Sequence, residues 1–567
     1  MSNQDNSMKV LFTLAYPLIG TGSGTATKTV MHSMKDAGFK VAVLCADNKT
    51  DYPKEPDIEY VTVPFTAPVN PEIIPGQVKN NYIMFTSHPA GATHNYWNAS
   101  LDEVVEYVNN FKKYLHEEVK SFNPDVIHAQ HNWLLSSEVA RTGKPMVLTI
   151  HGTDLMGYTK SQEVFKDLES SIKDYPLDAV KRMCQEIASR SDSLEEMSRK
   201  LNELEKATPE GNREIINLYK DYCKNRFYIQ ESENSAKNAD QIIVISEAQK
   251  AEFARLFPYA SDKVSLLENG YDPKVFYVDE SYNAADIFSQ LHSNLTEDGT
   301  IPTDYDDLVL FVGKFADFKG LDSLLIANKL YDKKLIEQGK KPLTIIVGNG
   351  DLDDKLKQEA KDLGLQNTHF VGRQGHDIVR PLQNLATVSL IPSRDEPFGL
   401  VVIEGTACGH PVIGSNSGGI PDILNTDKRE LPEDDIIRTR LGLLIKPLPK
   451  GPEGLTKEQT ENLNSIAYTY IDGDEAQRKL VLEGLTKRLN VSEESLLKYF
   501  DEYELATDAL ANGVVRIVNR EYGFDNHDIA EYTEDHFSQE IITGRTKKLY
   551  EKAIEVRGSK NALSRDE

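Results

Sequence analysis

The sequence predicts an α/β protein with two Rossmann-like, doubly wound domains that carry helical insertions. Short apolar runs typical of buried strands alternate with helical stretches, once within residues 8–278 and again within 305–535. Such alternation is typical of parallel sheets covered by helices. A chain of 567 residues is also too long for one hydrophobic core. Two stretches, 157–232 and 449–503, show helical periodicity alone, which predicts insertions.

Composition and charge narrow the class of protein. The hydrophobic fraction of 39% suffices for globular packing, and no apolar run approaches the ~20 residues of a membrane helix. The formal charge of −25 argues against nucleic acid as a partner and makes membrane association an unfavoured, though still open, alternative. The polar start of the chain and four cysteines without C-x-x-C pairing predict a cytoplasmic protein without disulfides or a zinc site.

The first domain is predicted to begin with a βαβ unit. A strand at Lys9–Leu14 leads through a glycine-rich turn at 20–24 into a helix at Thr25–Ala37, and a second strand follows. The turn is not a G-x-G-x-x-G fingerprint, so it is weak evidence for a dinucleotide. Gly22 and Gly24 are instead predicted to let backbone amides approach a sugar or a phosphate.

Two histidines follow strands in the same domain. A predicted strand, Pro145–Ile150, runs directly into His151, and the carboxyl end of a parallel strand borders the ligand crevice. The alternative for any one histidine is an interior residue with satisfied hydrogen bonds. The strand-end position favours a functional role for His151, whereas both interpretations stay open for His131.

The first insertion is predicted to be a helical hairpin with a third helix. Val180, Cys184 and Ile187 recur at spacings of three and four, and a second helix shows the same spacing. Ser193 with Glu196 is the pattern of a capping box at the start of that second helix. Such helices bury their apolar faces against each other, the domain or a second subunit, so a homodimer is one possible outcome.

The second domain is predicted to open with a strand at Leu308–Val312 that ends at Gly313. Lys314 and Lys319 follow as a basic pair, and a pair of cations at a strand end can neutralise phosphate. The alternative is ordinary surface charge. Three D-x-D triplets also occur, but 89 acidic residues make such matches expected by chance, and no metal site is predicted.

The segment 386–424 carries the strongest functional signal. A strand-like run empties into a loop with Glu396, and Pro397 keeps that residue out of the following helix. Glu404 lies more than a turn inside the helix. The helix N-terminus presents amides to an anion, at Phe398, Gly399 and Leu400. Two carboxylates that accept from hydroxyls, beside amides that hold phosphate, suit a nucleotide-sugar.

The segment resembles the donor-site signature of the retaining GT-B glycosyltransferases of family four, E-P-F-G-x4-E-A-x-A-x-G-x-P-V-x5-G-G-x-P-E. The matching residues are Glu396, Pro397, Phe398, Gly399, Glu404, Ala407, Gly409, Pro411, Val412, Gly418, Gly419 and Pro421. Gly405 replaces the usual Ala, which costs about 1 kcal/mol in helix propensity. Asp422 replaces the usual Glu. Landmarks at 239–247 and 264–276 extend the resemblance over nearly the whole chain outside the insertions.

The resemblance implies the GT-B fold, whose two domains face a cleft. Residues 8–278 would bind the acceptor, 305–535 would bind the donor, and a helix over 536–558 would cross back to the first domain. The implied reaction is retaining transfer of a hexosyl unit from a nucleoside diphosphate sugar, by default a UDP-sugar, to a hydroxyl of a sugar, glycolipid or small molecule. The donor is a co-substrate, so no cofactor is expected. Metal independence is expected because lysines and a helix N-terminus neutralise the diphosphate.

The resemblance also implies roles for single side chains. Lys314 and Lys319 would hold the diphosphate, although the family often has Arg at the first position. Glu396 would accept from sugar hydroxyls, Glu404 would accept from the ribose, and His151 would contact the sugar. Backbone groups would complete the donor site, at Gly22, Gly24, Gly313, Phe398, Gly399, Leu400 and, beside the base, Arg373.

Other functions stay open on the same fold. A disaccharide synthase or a phosphorylase is one alternative, and inorganic phosphate in place of the nucleotide would mark the phosphorylase. A non-catalytic GT-B subunit is another, which the loss of the glutamates or lysines would have favoured. The first insertion follows directly after His151, so it could select the acceptor instead of forming a dimer.

Overall fold

The computed structural model describes residues 7–18, 21–47, 55, 57–64, 83–85, 94–176, 178–293, 295, 299–427 and 434–566. The chain divides into two compact units, Met1–Glu268 with Ile542–Glu567, and Asn269–Ile541. The division after Glu268 precedes the predicted domain end at 278. Residues from Ile542 onward belong to the first unit.

Helices and strands alternate in both units. The strands are β1 (Lys9–Leu14), β2 (Lys40–Asp47), β3 (Ile58–Pro64), β4 (Ile83–Met84), β5 (His94–Asn95), β6 (Val126–Gln130), β7 (Met146–Ile150), β8 (Gln241–Val244), β9 (Val264–Leu266), β10 (Asp307–Val312), β11 (Pro342–Val347), β12 (Thr368–Phe370), β13 (Val388–Ile391), β14 (Val412–Ser415), β15 (Ile436–Arg438) and β16 (Gly442–Ile445). The helices are α1 (Gly22–Asp36), α2 (Leu101–Phe122), α3 (Leu134–Arg141), α4 (Thr153–Asp174), α5 (Ala179–Arg190), α6 (Leu194–Ala207), α7 (Glu214–Asn238), α8 (Glu247–Leu256), α9 (Ala284–Phe288), α10 (Leu321–Glu337), α11 (Asp353–Asp362), α12 (His376–Leu385), α13 (Leu400–Ala407), α14 (Ile420–Leu424), α15 (Lys457–Ile471), α16 (Glu475–Leu489), α17 (Glu493–Val518), α18 (Asn526–Phe537) and α19 (Gln539–Asp566).

The first unit is built on a seven-stranded sheet in the order β3-β2-β1-β6-β7-β8-β9, and every neighbouring pair is parallel. Strands β6, β7 and β8 bury every residue, as expected for a parallel sheet covered on both faces. Helix α19 contributes Tyr550 and Ala553 to this core, and the Tyr550 hydroxyl is hydrogen-bonded to Nδ1 of His128 at 2.7 Å. The predicted doubly wound domain is therefore confirmed.

The second unit repeats this architecture. Its seven-stranded sheet has the order β12-β11-β10-β13-β14-β16-β15, parallel except for the antiparallel edge strand β15. Strand β10 lies between β11 and β13 and is parallel to both, so the carboxyl ends of β10 and β13 are neighbours. This places the residues after Val312 beside the residues after Ile391, at one edge of the sheet.

The glycine-rich turn differs from its prediction. Helix α1 begins at Gly22, not at Thr25, because the hydroxyl of Thr21 accepts from the Gly24 amide at 3.0 Å and caps the helix. A Cβ on Gly24 would lie 2.6 Å from the carbonyl oxygen of Pro17. Gly24 thus allows a close backbone approach, and its amide is engaged within the protein. Gly20 lies outside the described residues.

The first insertion contains four helices, α4 to α7, where a hairpin with a third helix was expected. An apolar cluster separate from the sheet core includes Cys184, Leu201, Ile215 and Tyr219 of the insertion together with Leu101 of α2. Ser193 caps α6 by accepting from the Glu196 amide at 3.1 Å. The Glu196 carboxylate accepts from the Asp192 amide, so the reciprocal bond of the predicted capping box is not made.

The second insertion is part of the core of its unit. Helix α17 continues from 493 to Val518, beyond the predicted end at 503, and packs against α10 and the sheet. A Cβ on Gly513 would lie 3.1 Å from Cδ1 of Ile413 in β14, so the helix backbone approaches the sheet closely. Apolar patterning predicted these helices, but only the tertiary structure shows that they pack into the core of the second unit.

Among the described residues, no helix combines the length and the apolar character that crossing a bilayer requires.

Candidate active site

The loop between β13 and α13 forms the candidate donor site. Gly399 caps α13 with a φ of +104°, a conformation that favours glycine. Glu396 therefore lies three residues ahead of the cap, while Glu404 lies in the second turn of the helix, as predicted. Phe398 is buried, and Leu400 is the first helical residue.

Gly418 and Gly419 hold this loop in place by backbone packing. A Cβ on Gly418 would lie 2.1 Å from the carbonyl oxygen of Glu396. The amide of Gly419 donates to the same oxygen at 2.7 Å. Only glycine allows this approach at Gly418, whose φ is +61°. The glycine pair thus fixes the backbone of Glu396.

Lys319 and Glu396 form an ion pair, in which Nζ of Lys319 donates to Oε2 of Glu396. The same oxygen accepts from the hydroxyl of Ser393 at 3.2 Å. Lys319 ends the 3-10 helix Asp317–Lys319 after β10, and the two side chains are only 16% and 10% exposed. The sequence assigned them to different parts of the donor. The structure brings them into direct contact, so a largely buried cation is held at the site by a carboxylate.

Glu404 has an unusual protonation equilibrium. Burial raises the pKa of its carboxyl to about 7. At neutral pH the group is therefore poised between a form that accepts hydrogen bonds and a form that also donates one. Such a carboxyl suits hydrogen bonding to hydroxyls, which can both donate and accept.

The remaining predicted donor residues lie at the ends of β10 and β12. Gly313 follows β10, and its carbonyl oxygen would lie 1.8 Å from a Cβ on Gly348, so the chain after β11 packs against it. The Gly348 amide donates to the carbonyl of Gly372 at 2.9 Å. Arg373 follows and is exposed. Glycine contacts thus align the ends of three neighbouring strands. Lys314 is exposed beside Gly313.

In the first unit, His151 is buried and held in one orientation. Its Nε2 donates to Oε1 of Gln130 at 2.8 Å, and its ring lies 4.6 Å from that of His131. Burial lowers the pKa of His151 to about 3, with a smaller contribution from His131 in the same direction. His151 is therefore a neutral hydrogen-bonding group rather than an acid. Asp154 was not predicted, yet it accepts from the backbone of Asn132 and His151 and fixes both loops.

His131 differs from an ordinary interior histidine. Its φ is +67°, it is 3% exposed, and its ring packs edge-on to Tyr16 with centroids 5.1 Å apart. Neither ring nitrogen has a hydrogen-bond partner among the described residues. Burial lowers the pKa of His131 to about 3. The satisfied-interior interpretation thus fails for this ring, although a ligand role remains a prediction.

Gly405 is explained by a residue five positions later. A Cβ on Gly405 would lie 2.9 Å from Nε2 of His410. The His410 ring is buried, and its Nε2 is hydrogen-bonded to the hydroxyl of Ser389 at 2.8 Å. The family's usual alanine does not fit here because this ring occupies its space.

Five of the six aspartates of the D-x-D triplets have structural partners. Asp304 and Asp472 pair with Lys341 and Lys329, and Asp353 pairs with Lys357. Asp474 caps α16, and Asp306 accepts from the backbone of Lys341. These bonds engage five of the six aspartates, all except Asp351, in ordinary structural contacts.

Two protein families match this sequence. The model described as "Glycosyltransferase Family 4" matches residues 20–194, and "Glycosyl transferases group 1" matches residues 297–434. The second match contains Lys314, Lys319, Glu396 and Glu404. Together with the two-sheet fold, these matches identify the chain as a GT-B glycosyltransferase of the family-four type.

Particular proteins resemble parts of the chain. An uncharacterized glycosyltransferase of Methanocaldococcus jannaschii is 31% identical over 185 residues, which cover 32% of this chain and 44% of that protein. A D-inositol 3-phosphate glycosyltransferase of Saccharomonospora viridis is 27% identical over 198 residues, 33% of this chain and 42% of that one. An alpha-maltose-1-phosphate synthase of Mycolicibacterium smegmatis is 28% identical, over 40% of this chain and 54% of that one. The chain thus matches about half the length of these relatives.

Solved structures share the fold over nearly the whole chain. Sucrose-phosphate synthase from Thermosynechococcus elongatus superposes with a TM-score of 0.50 and 16% identity, over 96% of this chain and 98% of that one. The catalytic domain of starch synthase IV from Arabidopsis thaliana gives 0.51 and 12% identity, over 97% and 100% of the chains. These likenesses show the two-domain GT-B fold.

Proposed function

We propose that this protein transfers a hexosyl unit, with retention, from a nucleoside diphosphate sugar to a hydroxyl acceptor. The observation that carries the proposal is the contact between Lys319 and Glu396 just ahead of the α13 N-terminus. Two neighbouring loops, after β10 and after β13, bring together a cation, a carboxylate and helix amides. This set can bind a diphosphate and the hydroxyls of the sugar attached to it.

Stabilisation of the leaving diphosphate is the main chemical task. A charge pair about 4 Å apart contributes about 4 kcal/mol at an effective dielectric near 20, so Lys319 can exchange Glu396 for a phosphate oxygen. The amides at the start of α13 add fixed dipoles aimed at the same charge. Because these groups already neutralise the diphosphate, transfer is expected without added metal.

The carboxylates would hold the rest of the donor. When Lys319 turns to the phosphate, Glu396 can accept from hydroxyls of the transferred sugar. Glu404, with its pKa near 7, would bind the ribose hydroxyls. Neutral His151 would hydrogen-bond to a hydroxyl of the sugar, oriented by Gln130. This assignment names no covalent nucleophile.

Relatives support glycosyl transfer but leave donor and acceptor unassigned. Their names include inositol-phosphate glycosyltransferase, mannosyltransferase and maltose-1-phosphate synthase, so the acceptors differ among them. UDP is the default nucleotide here because uridine is the commonest donor nucleoside in the resembled family.

The first test is binding of nucleotides to the full chain. Calorimetric titration with UDP, ADP and GDP is expected to show UDP binding, and Glu404→Ala is expected to weaken it. Ser465→Ala is a matched control, since within the described part of the chain this hydroxyl donates only to the carbonyl of Glu461 in its own helix. If none of the nucleotides binds, the donor-site assignment is wrong. If ADP or GDP binds in place of UDP, the choice of base is wrong.

A further inference from the structure

A buried polar network reaches from the donor loop into the second helical insertion. Its members are Arg394, Asp317, Asp322, Asn464, Tyr499 and Tyr503, called the Arg394 network below. Of its three charged members, Arg394 and Asp322 are each 11% exposed and Asp317 is 28% exposed, and the three insertion side chains are at most 3% exposed. All six belong to the second unit.

Arg394 joins the two loops of the candidate site. It lies two residues before Glu396, and its amide donates to the carbonyl of Phe318 at 2.8 Å. Its guanidinium donates to the carbonyl of Asp317 at 2.6 Å and to both oxygens of Asp322, at 3.0 and 2.5 Å. The 3-10 turn that ends at Lys319 is thereby held on both sides by Arg394.

The insertion completes this network from behind. The Asn464 amide on α15 donates to both carboxylate oxygens of Asp317 at 3.1 Å, and the Tyr499 hydroxyl on α17 donates to Oδ1 of Asn464 at 2.5 Å. The Tyr503 hydroxyl donates to Asp322 at 2.6 Å and accepts from Arg394 at 3.3 Å. Helices far away in sequence thus hold the first residue of the turn whose last residue is Lys319.

We propose that α15 and α17 position Lys319 and Glu396 for the transfer reaction through the Arg394 network. Asn464, Tyr499 and Tyr503 are positioning residues and do not touch the donor. The physical reason is that a cation misplaced by about 1 Å can lose 10²-fold in rate, so the turn that carries it must be rigid. A buried ion pair with several hydrogen bonds supplies such rigidity, and in this network Nε of Arg394 is the one guanidinium nitrogen without a partner among the described residues. The inference rests on the proposed function.

The test removes neutral partners and leaves the buried ion pair intact. In the full chain, Asn464→Ala and Tyr499→Phe are each expected to lower kcat for the UDP-sugar about tenfold and to leave KM nearly unchanged. A tenfold loss corresponds to the free energy of about one hydrogen bond. Ser465→Ala and Tyr470→Phe are the controls on α15. The decisive comparison repeats Asn464→Ala in the Lys319→Ala background, where little further loss is expected. An equal fold-loss in both backgrounds, or a normal kcat, would overturn the proposal.

A second measurement does not depend on activity. Hydrogen exchange of peptides covering 314–320 and 394–400 is expected to be faster in Asn464→Ala than in the wild type and in Ser465→Ala. Unchanged exchange in both peptides contradicts the positioning role. If the wild type turns over no nucleotide-sugar, the proposed function fails, and the exchange result still decides whether the network holds the turn.

Discussion

Gly405 and His410 form a pair whose energetic coupling can be measured. In Gly405→Ala, the new Cβ would lie 2.9 Å from Nε2 of His410, 3.2 Å from its Cε1 and 3.3 Å from Cγ2 of Val412. The ring is buried and bonded to Ser389, so it cannot move without losing that bond. Overpacking typically costs 1–3 kcal/mol, whereas alanine gains about 1 kcal/mol of helix propensity over glycine. The variant is therefore expected to be less stable by about 1 kcal/mol.

The sign should reverse when the ring is removed. In a His410→Ala background, Gly405→Ala is expected to raise stability by up to about 1 kcal/mol, because only the propensity gain remains. Gly484→Ala is the matched control, since Gly484 is an exposed position in α16 whose Cβ would have no atom of the described residues within 4 Å. It is expected to stabilise in both backgrounds.

The assay is the thermal midpoint of the full chain for the four variants of the cycle and the control. The prediction concerns only the order of the thermal midpoints, so it does not require the two units to unfold in a single two-state transition. If Gly405→Ala lowers the midpoint equally with and without the His410 ring, the steric explanation for the missing alanine is wrong.

Three further predictions concern the donor site. Lys319→Ala should lower kcat roughly 10²-fold or more, which is the effect of removing one preorganised charge-stabilising donor. The control Lys329→Ala removes only an exposed ion pair with Asp472 and should leave kcat unchanged. Near-normal turnover of Lys319→Ala would exclude this lysine from the mechanism. The pKa of Glu404 is about 7 in the folded state and about 4.5 in the unfolded state, so between these pH values the folded state keeps a proton that the unfolded state loses. The free energy of unfolding of the wild type should therefore fall, relative to that of Glu404→Gln, by up to about 3 kcal/mol as the pH rises from about 4.5 to 7. Parallel denaturation curves at every pH contradict that pKa. Transfer assayed in chelator should keep its rate, and a loss restored by Mg²⁺ or Mn²⁺ refutes metal independence.

Local patterns predicted most of the fold. Strand β1 begins at Lys9 and ends at Leu14 as expected, because polar residues on both sides of an apolar run mark where a buried strand begins and ends. Glu396 lies outside α13 and Glu404 inside it, as the proline and the helical spacing indicated. The predicted start of α1 at Thr25 was wrong. The helix begins at Gly22, because the N-cap at Thr21 outweighs the low helix propensity of Gly22 and Gly24.

Long-range contacts could not be predicted in the same way. Lys319 and Glu396 are 77 residues apart, and nothing in either local sequence pairs them. Arg394 and Tyr503 are 109 residues apart, and the helix that carries Tyr503 had been assigned to an insertion. The signal that could have pointed to Arg394 is its position, because an arginine that follows a buried strand by three residues and precedes a functional carboxylate by two is expected to need a partner.

The most direct test of glycosyl transfer is time-resolved proton NMR of the full chain with a UDP-sugar in the presence of chelator. The first-formed sugar product, whether from water or from a supplied acceptor, is expected to keep the anomeric configuration of the donor while UDP is released. Lys319→Ala should slow that release, and Ser465→Ala should not. A first product of inverted configuration contradicts retention. No release of nucleotide from UDP-, ADP- or GDP-sugars with any acceptor contradicts the central claim.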